Sequence, residues 1–246
     1  MNKLLLLVLF ISPGLCLTAQ VDNYLTRSNN STEYEFMAMA NKMQTKKNIS
    51  YEVSAQEYKK IRGTPYWHKD ICLAKVVQND DVIIKNVSLR LDQYIGEVIA
   101  QAAGQNLLLL ETRMYKELFV ADGDNLDYFR KVHPNNPHKF YQILFENNKA
   151  IVFKDIVVKM TKTESTNAVM GVNKPEFHRK KLYFILLDGQ IREIQFKKKK
   201  FFQSFTKKEG KLMATFAKKN KLKLKDEMDF VLLLNHLYDQ TPDMKK

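Results

Sequence analysis

Between residues 63 and 196, short apolar segments recur with turn-forming residues between them, and this repetition constrains the fold more than any other feature. The clearest unit is Asp188-Gly189, set between the apolar runs 182–187 and 191–196. Asp-Gly tolerates the positive backbone dihedrals of a two-residue turn, so the pattern predicts a β-hairpin. Asn79-Asp80 sits in the same way between Val76-Val77 and Val82-Ile83-Ile84. Gly104-Gln105-Asn106 separates the runs 95–103 and 107–112, and Asn147-Asn148 separates 141–145 and 150–158. Successive hairpins of this kind build an antiparallel sheet, arranged as a roll, a sandwich or an open barrel. Residues 121–138, rich in Asp, Asn, His and Pro, and residues 161–179 read as surface loops.

From residue 197 the period changes to that of helices. A short helix is expected at 199–205. Thr206-Lys207-Lys208-Glu209 is a capping box, in which the threonine oxygen takes an orphan amide and the glutamate reaches back. Leu212, Met213, Phe216 and Ala217 follow at helical spacing, and Asn220 can end that helix. Asp226 opens another, whose apolar face is Phe230, Leu233, Leu234 and Leu237. The expected fold class is therefore α+β, an antiparallel β-rich body with a C-terminal helical subdomain.

The chain begins with a basic Asn2-Lys3, an unbroken apolar run over 4–11, a Ser12-Pro13-Gly14 break and a small Ala19 before Gln20. That order reads as a secretory signal peptide over residues 1–19. The apolar run is shorter than the roughly 20 residues a membrane-spanning helix needs, so no transmembrane segment is expected after cleavage. The protein is expected to be exported to the periplasm or secreted, with outer-membrane association as a variant of that location. The organisation that follows is a polar arm at 20–62 with one helix near 33–43, the β-rich domain at 63–196, the helical part at 197–240 and a disordered tail at 241–246. Of the two cysteines, Cys16 falls in the leader, so Cys72 has no partner for an internal disulfide. An exported chain without a disulfide must be held by its core, and the 45% apolar content is enough to make one. Cys72 itself, in Ile71-Cys72-Leu73-Ala74, reads as a small buried hydrophobe.

Three stretches carry a resemblance: Gly63-Thr64-Pro65-Tyr66, then Leu89-Arg90-Leu91-Asp92-Gln93-Tyr94, then the lysine-rich run 218–225 followed by an apolar helix. Together they resemble an uncharacterised secreted or periplasmic family of the Bacteroidota. Leu91 stands where that family usually has Tyr, and residues 113–138 depart from its pattern. The resemblance implies location and layout over residues 63–240 and carries no activity and no catalytic residue.

Motifs for chemistry are few. His133 and His138 bracket Pro134-Asn135-Asn136-Pro137, but two imidazoles fall short of the three or four ligands of a zinc site, and a solvated turn is the simpler reading. His68 and His178 are isolated, and His236 belongs to the rim of the last helix. Asp122-Gly123-Asp124-Asn125-Leu126-Asp127 fails as a calcium loop, because Leu126 takes a ligand position and Asp127 the place of the required glycine. There is no Gly-x-Ser-x-Gly, no His-Glu-x-x-His and no phosphate loop. No catalytic, cofactor-binding or metal-binding residue is assigned on this reading, and no cofactor is expected.

The net charge of +13 points toward anionic partners, and in an exported protein nucleic acid is not expected among them. The basic residues concentrate late. Lys197, Lys198, Lys199, Lys200, Lys207, Lys208 and Lys211 are candidate contacts to an anionic lipid surface, each nearby cation adding about 1 kcal/mol at low salt. The same lysines also suit a solvent face over a Phe/Leu core. The leading expectation is a non-catalytic exported protein that binds an envelope component or a protein partner. Peripheral membrane binding through the lysine-rich tail is the alternative, and a hydrolase of unrecognised type the second.

Overall fold

The structure, a computed structural model, describes residues 56–101, 107–161 and 175–239. The expected leader, the arm helix near 33–43 and the tail from 240 lie outside the described residues. Ten strands follow one another: β1 (Cys72–Gln78), β2 (Ile83–Asp92), β3 (Glu97–Gln101), β4 (Leu107–Leu109), β5 (Tyr115–Asp122), β6 (Asn125–Arg130), β7 (Tyr141–Glu146), β8 (Ala150–Thr161), β9 (Glu176–Leu187) and β10 (Gln190–Ile194). Three helices close the chain: α1 (Lys198–Gln203), α2 (Lys207–Lys219) and α3 (Glu227–Asp239).

The strands form one open antiparallel sheet in the order β10-β9-β8-β7-β6-β5-β1-β2-β3-β4. Two meanders, β1–β4 and β5–β10, are sewn together by the β1–β5 pair. The pairs expected from their turns, β1–β2, β3–β4, β7–β8 and β9–β10, are neighbours. Asp188 and Gly189 have φ of 49° and 75°, the two positive values a type I′ turn requires.

Residues 121–138 are not simply a loop. Asp122 pairs with Asn125 across a tight turn, and β6 runs on to Arg130 with Phe129 fully buried. The turn's Asp and Asn crowd one end of a short strand and conceal its period of two. The second expected loop likewise gives way early, since β8 extends to Thr161 and β9 starts at Glu176.

The sheet cannot be flat. Arg62 bridges to Glu176 of β9, and Tyr66 bridges to Asp92 of β2. Six strand spacings separate β9 from β2 in the sheet order, about 29 Å in a flat sheet. The four residue steps from 62 to 66 reach at most about 14 Å. The sheet must therefore curl until β9 and β2 approach, and residues 62–67 form a strap between them. Backbone bonds fix the strap at both ends: Phe177 N–H to Arg62 C=O at 2.9 Å, Trp67 N–H to Leu91 C=O at 2.8 Å and Gln93 N–H to Pro65 C=O at 2.8 Å. The pairing registers slip at three places, where residues 85 and 86 of β2 together oppose residue 75 of β1, and 116 of β5 and 144 of β7 are each extra. Such bulges bend strands and increase twist.

The curl encloses a core in which Val98 of β3 and Leu89 of β2 share a cluster with Ile156 and Val158 of β8 and Phe177 of β9. A second core lies where the helices cover β7–β10. Phe201, Met213, Phe230 and Leu233 pack there with Val152, Ile185 and Ile194. The helical part thus shares a core with the sheet. The capping box is present, with Thr206 accepting from the Glu209 amide and the Glu209 side chain accepting from the Thr206 amide. Among the described residues no helix is long and apolar enough to cross a membrane.

Candidate anion-binding pocket

A cavity of about 450 Å³ opens beside the strap. Gly63, Thr64 and Pro65 give it a backbone wall, Tyr58 and Tyr66 give it rings, and Lys59, Lys69 and Arg90 give it charge. Small-molecule sites span about 300–1,000 Å³, so the volume suits one. Among the described residues the lining holds three cations and no acid.

Arg90 projects from β2, where it pairs with Ile99 of β3. Its guanidinium carbon lies 3.7 Å from the centre of the Tyr66 ring, a cation–π contact that fixes the plane of the fork. Its buried Nε has no hydrogen-bond partner among the described residues. A buried N–H without an acceptor costs free energy. Tyr58 is set edge-on against Phe177 and Tyr94, with ring centres 5.3 Å and 6.1 Å away. Burial first, then the nearby Asp92 carboxylate, push the Tyr58 hydroxyl well above its ordinary pKa, so it stays a protonated donor. Asp92 itself is fully buried, and its Oδ1 accepts from the Tyr94 and Ile95 amides at 2.9 and 3.2 Å. Gly63 lets the strap pass this close to β9: its φ is +82°, and an added Cβ would lie 2.9 Å from the Phe177 carbonyl oxygen.

A second polar group lies just past the strap. His68 Nδ1 is 3.1 Å from Asp122 Oδ2, and its Nε2 is 3.1 Å from Asp127 Oδ2, close but not aligned as a hydrogen bond. Gln142 donates to the other oxygen of Asp127. Cys72 starts β1 beside them, its thiol 3.6 Å from the Asp70 carbonyl oxygen. Burial pushes that thiol up to about 11, with Asp122, Asp70 and Asp127 adding to the rise.

The residues singled out by sequence fall elsewhere. Lys197, Lys199, Lys200, Lys207, Lys208 and Lys211 are exposed on and around α1 and α2, whereas the side chain of Lys198 is outside the described set. None of those six has an ion-pair partner among the described residues. His133 stacks on Tyr141, with ring centres 5.9 Å apart, and faces Phe153, whereas His138 is exposed. The 122–127 stretch is the β5–β6 turn, and it aims Asp122 and Asp127 at His68. Sequence reading missed the pocket as a site, although two stretches it singled out, 63–66 and 89–94, are the two that meet there.

No protein-family model matches the chain, no curated protein matches it, and no solved structure matches it.

Proposed function

We propose that the protein is an exported, non-catalytic binding module that takes up an anionic component of the cell envelope in the pocket between Tyr58, Tyr66 and Arg90. The observation that carries this reading is that, among the described residues, the lining holds three cations and no acid, with the Arg90 guanidinium held against the Tyr66 ring. A phosphate or carboxylate suits the planar fork of an arginine held against a ring. The two tyrosines suit an apolar or sugar moiety attached to that anion. The signal-like leader supports the envelope as the place where the ligand is met.

Native mass spectrometry of protein isolated from its own envelope fraction tests the reading, with Arg90→Gln and Lys69→Gln in parallel. The wild type is expected to carry an adduct of fixed mass that both variants lose. A bare wild type, or variants that keep the adduct, would sink it.

A second reading, docking on an anionic membrane, is favoured by the exposed lysines on and around α1 and α2 and by Leu212 of α2, which is itself 38% exposed. Exposed lysines on helices that also expose an apolar residue are what an interfacial helix presents. Liposome sedimentation of a fourfold alanine variant at 197–200 decides this one. Binding equal to wild type at low salt counts against it.

A further inference from the structure

We infer that the turn after the strap is a zinc site, with His68, Cys72 and Asp122 as ligands. Their ligand atoms already lie within 4.8 Å of one another, and the Nδ1–Oδ2 separation is 3.1 Å. Around a tetrahedral zinc, nitrogen and oxygen ligands sit about 3.3 Å apart and nitrogen and sulfur about 3.6 Å. Drawing the thiol inward by about 1 Å therefore completes three corners. Thiolate with imidazole and carboxylate is a donor set that suits zinc over the harder magnesium or calcium.

The surroundings are those of a metal site. A histidine that ligates through one nitrogen commonly gives its other N–H to a carboxylate, which fixes the ring and raises its basicity. Here Asp127 faces Nε2 at 3.1 Å, and Gln142 anchors Asp127 in turn. The local field has the right sign even though the chain carries +13, since Asp70, Asp122 and Asp127 gather around Cys72. The side chain of Asp122 is 59% exposed, which leaves an entry path and room for water at the fourth corner. The three ligands come from the strap's end, the start of β1 and the end of β5, so a bound ion ties the strap to the β5–β6 hairpin.

Cobalt titration of the full chain tests this, with zinc as competitor. One equivalent of Co²⁺ is expected to give a sulfur-to-cobalt charge-transfer band that zinc abolishes. The band should vanish in Cys72→Ala and persist in Cys16→Ala. Asp127→Asn should keep the band but weaken metal affinity about 10- to 100-fold. In the wild type itself, saturating zinc should slow alkylation of Cys72 at least about tenfold, a readout that needs no variant to fold. A band that survives Cys72→Ala, or zinc that leaves the alkylation rate unchanged, overturns the site.

Discussion

Glu227 shows how one side chain holds two parts of the molecule together. It opens α3, and its Oε2 accepts from Lys154 Nζ at 2.8 Å while Oε1 accepts from Tyr183 at 2.8 Å and Lys181 at 3.0 Å. Burial works to raise its pKa, but Lys154, Tyr183 and Lys181 together prevail and hold it below the ordinary glutamate value. A carboxylate depressed in the folded state stabilises at pH above its unfolded pKa and loses that contribution as pH falls through the folded one. Urea midpoints should therefore be insensitive to this group near neutrality and fall on acidification below about pH 4.3. Glu227→Gln should be less stable at neutral pH by about 3–5 kcal/mol, because Lys154 is left buried without its counter-charge. Its stability should also depend less on pH in the acid range. Gly63→Ala makes a separate prediction. The left-handed backbone and the 2.9 Å approach to Phe177 should cost about 1–3 kcal/mol, read as a lowered urea midpoint.

Among elements, the helices at the end test whether local signals matter here. Thr206→Ala removes the cap of α2 and should cost about 1 kcal/mol, a shift of a few degrees in melting temperature. Phe230→Ala opens a hole between α3 and the sheet and should cost about 3–5 kcal/mol. A capping loss equal to the cavity loss would mean that α2 holds by its own propensity rather than by its packing. These helices were legible because a capping box, an apolar stripe and Asn220 are local signals. The hairpins were legible for the same reason, most clearly at Asp188-Gly189. The strap was not legible, because an isolated bridge of one residue at each end leaves no period in the sequence. Nor was β6, because the Asp and Asn residues of its turn crowd one end of a six-residue strand and hide its period of two. Both candidate sites combine residues far apart in the chain. His68 and Asp122 are 54 positions apart, and Arg90 meets Tyr66 only because β2 and the strap pair. Cys72 read as core, and it is buried, but nothing in the sequence brings Asp122 and Asp127 to its side.

At the scale of the whole molecule, a ten-stranded sheet whose order runs from β10 to β4 is curled by the strap, and among the described residues β4 and β10 do not pair with each other. The strap holds the curl, and α1–α3 cover the β7–β10 end, sharing a core with those strands. Lys154 touches both parts, reaching Glu227 on α3 while its ammonium lies 5.3 Å from the ring of Trp67 at the strap's end. Trp67 is the only tryptophan in the chain and packs edge-on against Phe129, with ring centres 5.0 Å apart. Its fluorescence should therefore report on the strap, and a ligand that orders the pocket should shift its emission while Arg90→Gln abolishes the shift. The lysine-rich face lies on the helices, away from the strap residues that line the pocket. Lysine substitutions at 197–200 should accordingly leave any ligand carried by the pocket in place.

The binding reading is tested most directly by a crystal structure of protein purified from its own envelope, in crystals grown without sulfate, phosphate or carboxylate buffers. The expected result is electron density for an anionic group on Arg90, flanked by Tyr58 and Tyr66. An empty cavity, with a co-purified anion seated instead on the lysines of α1 and α2, would contradict it.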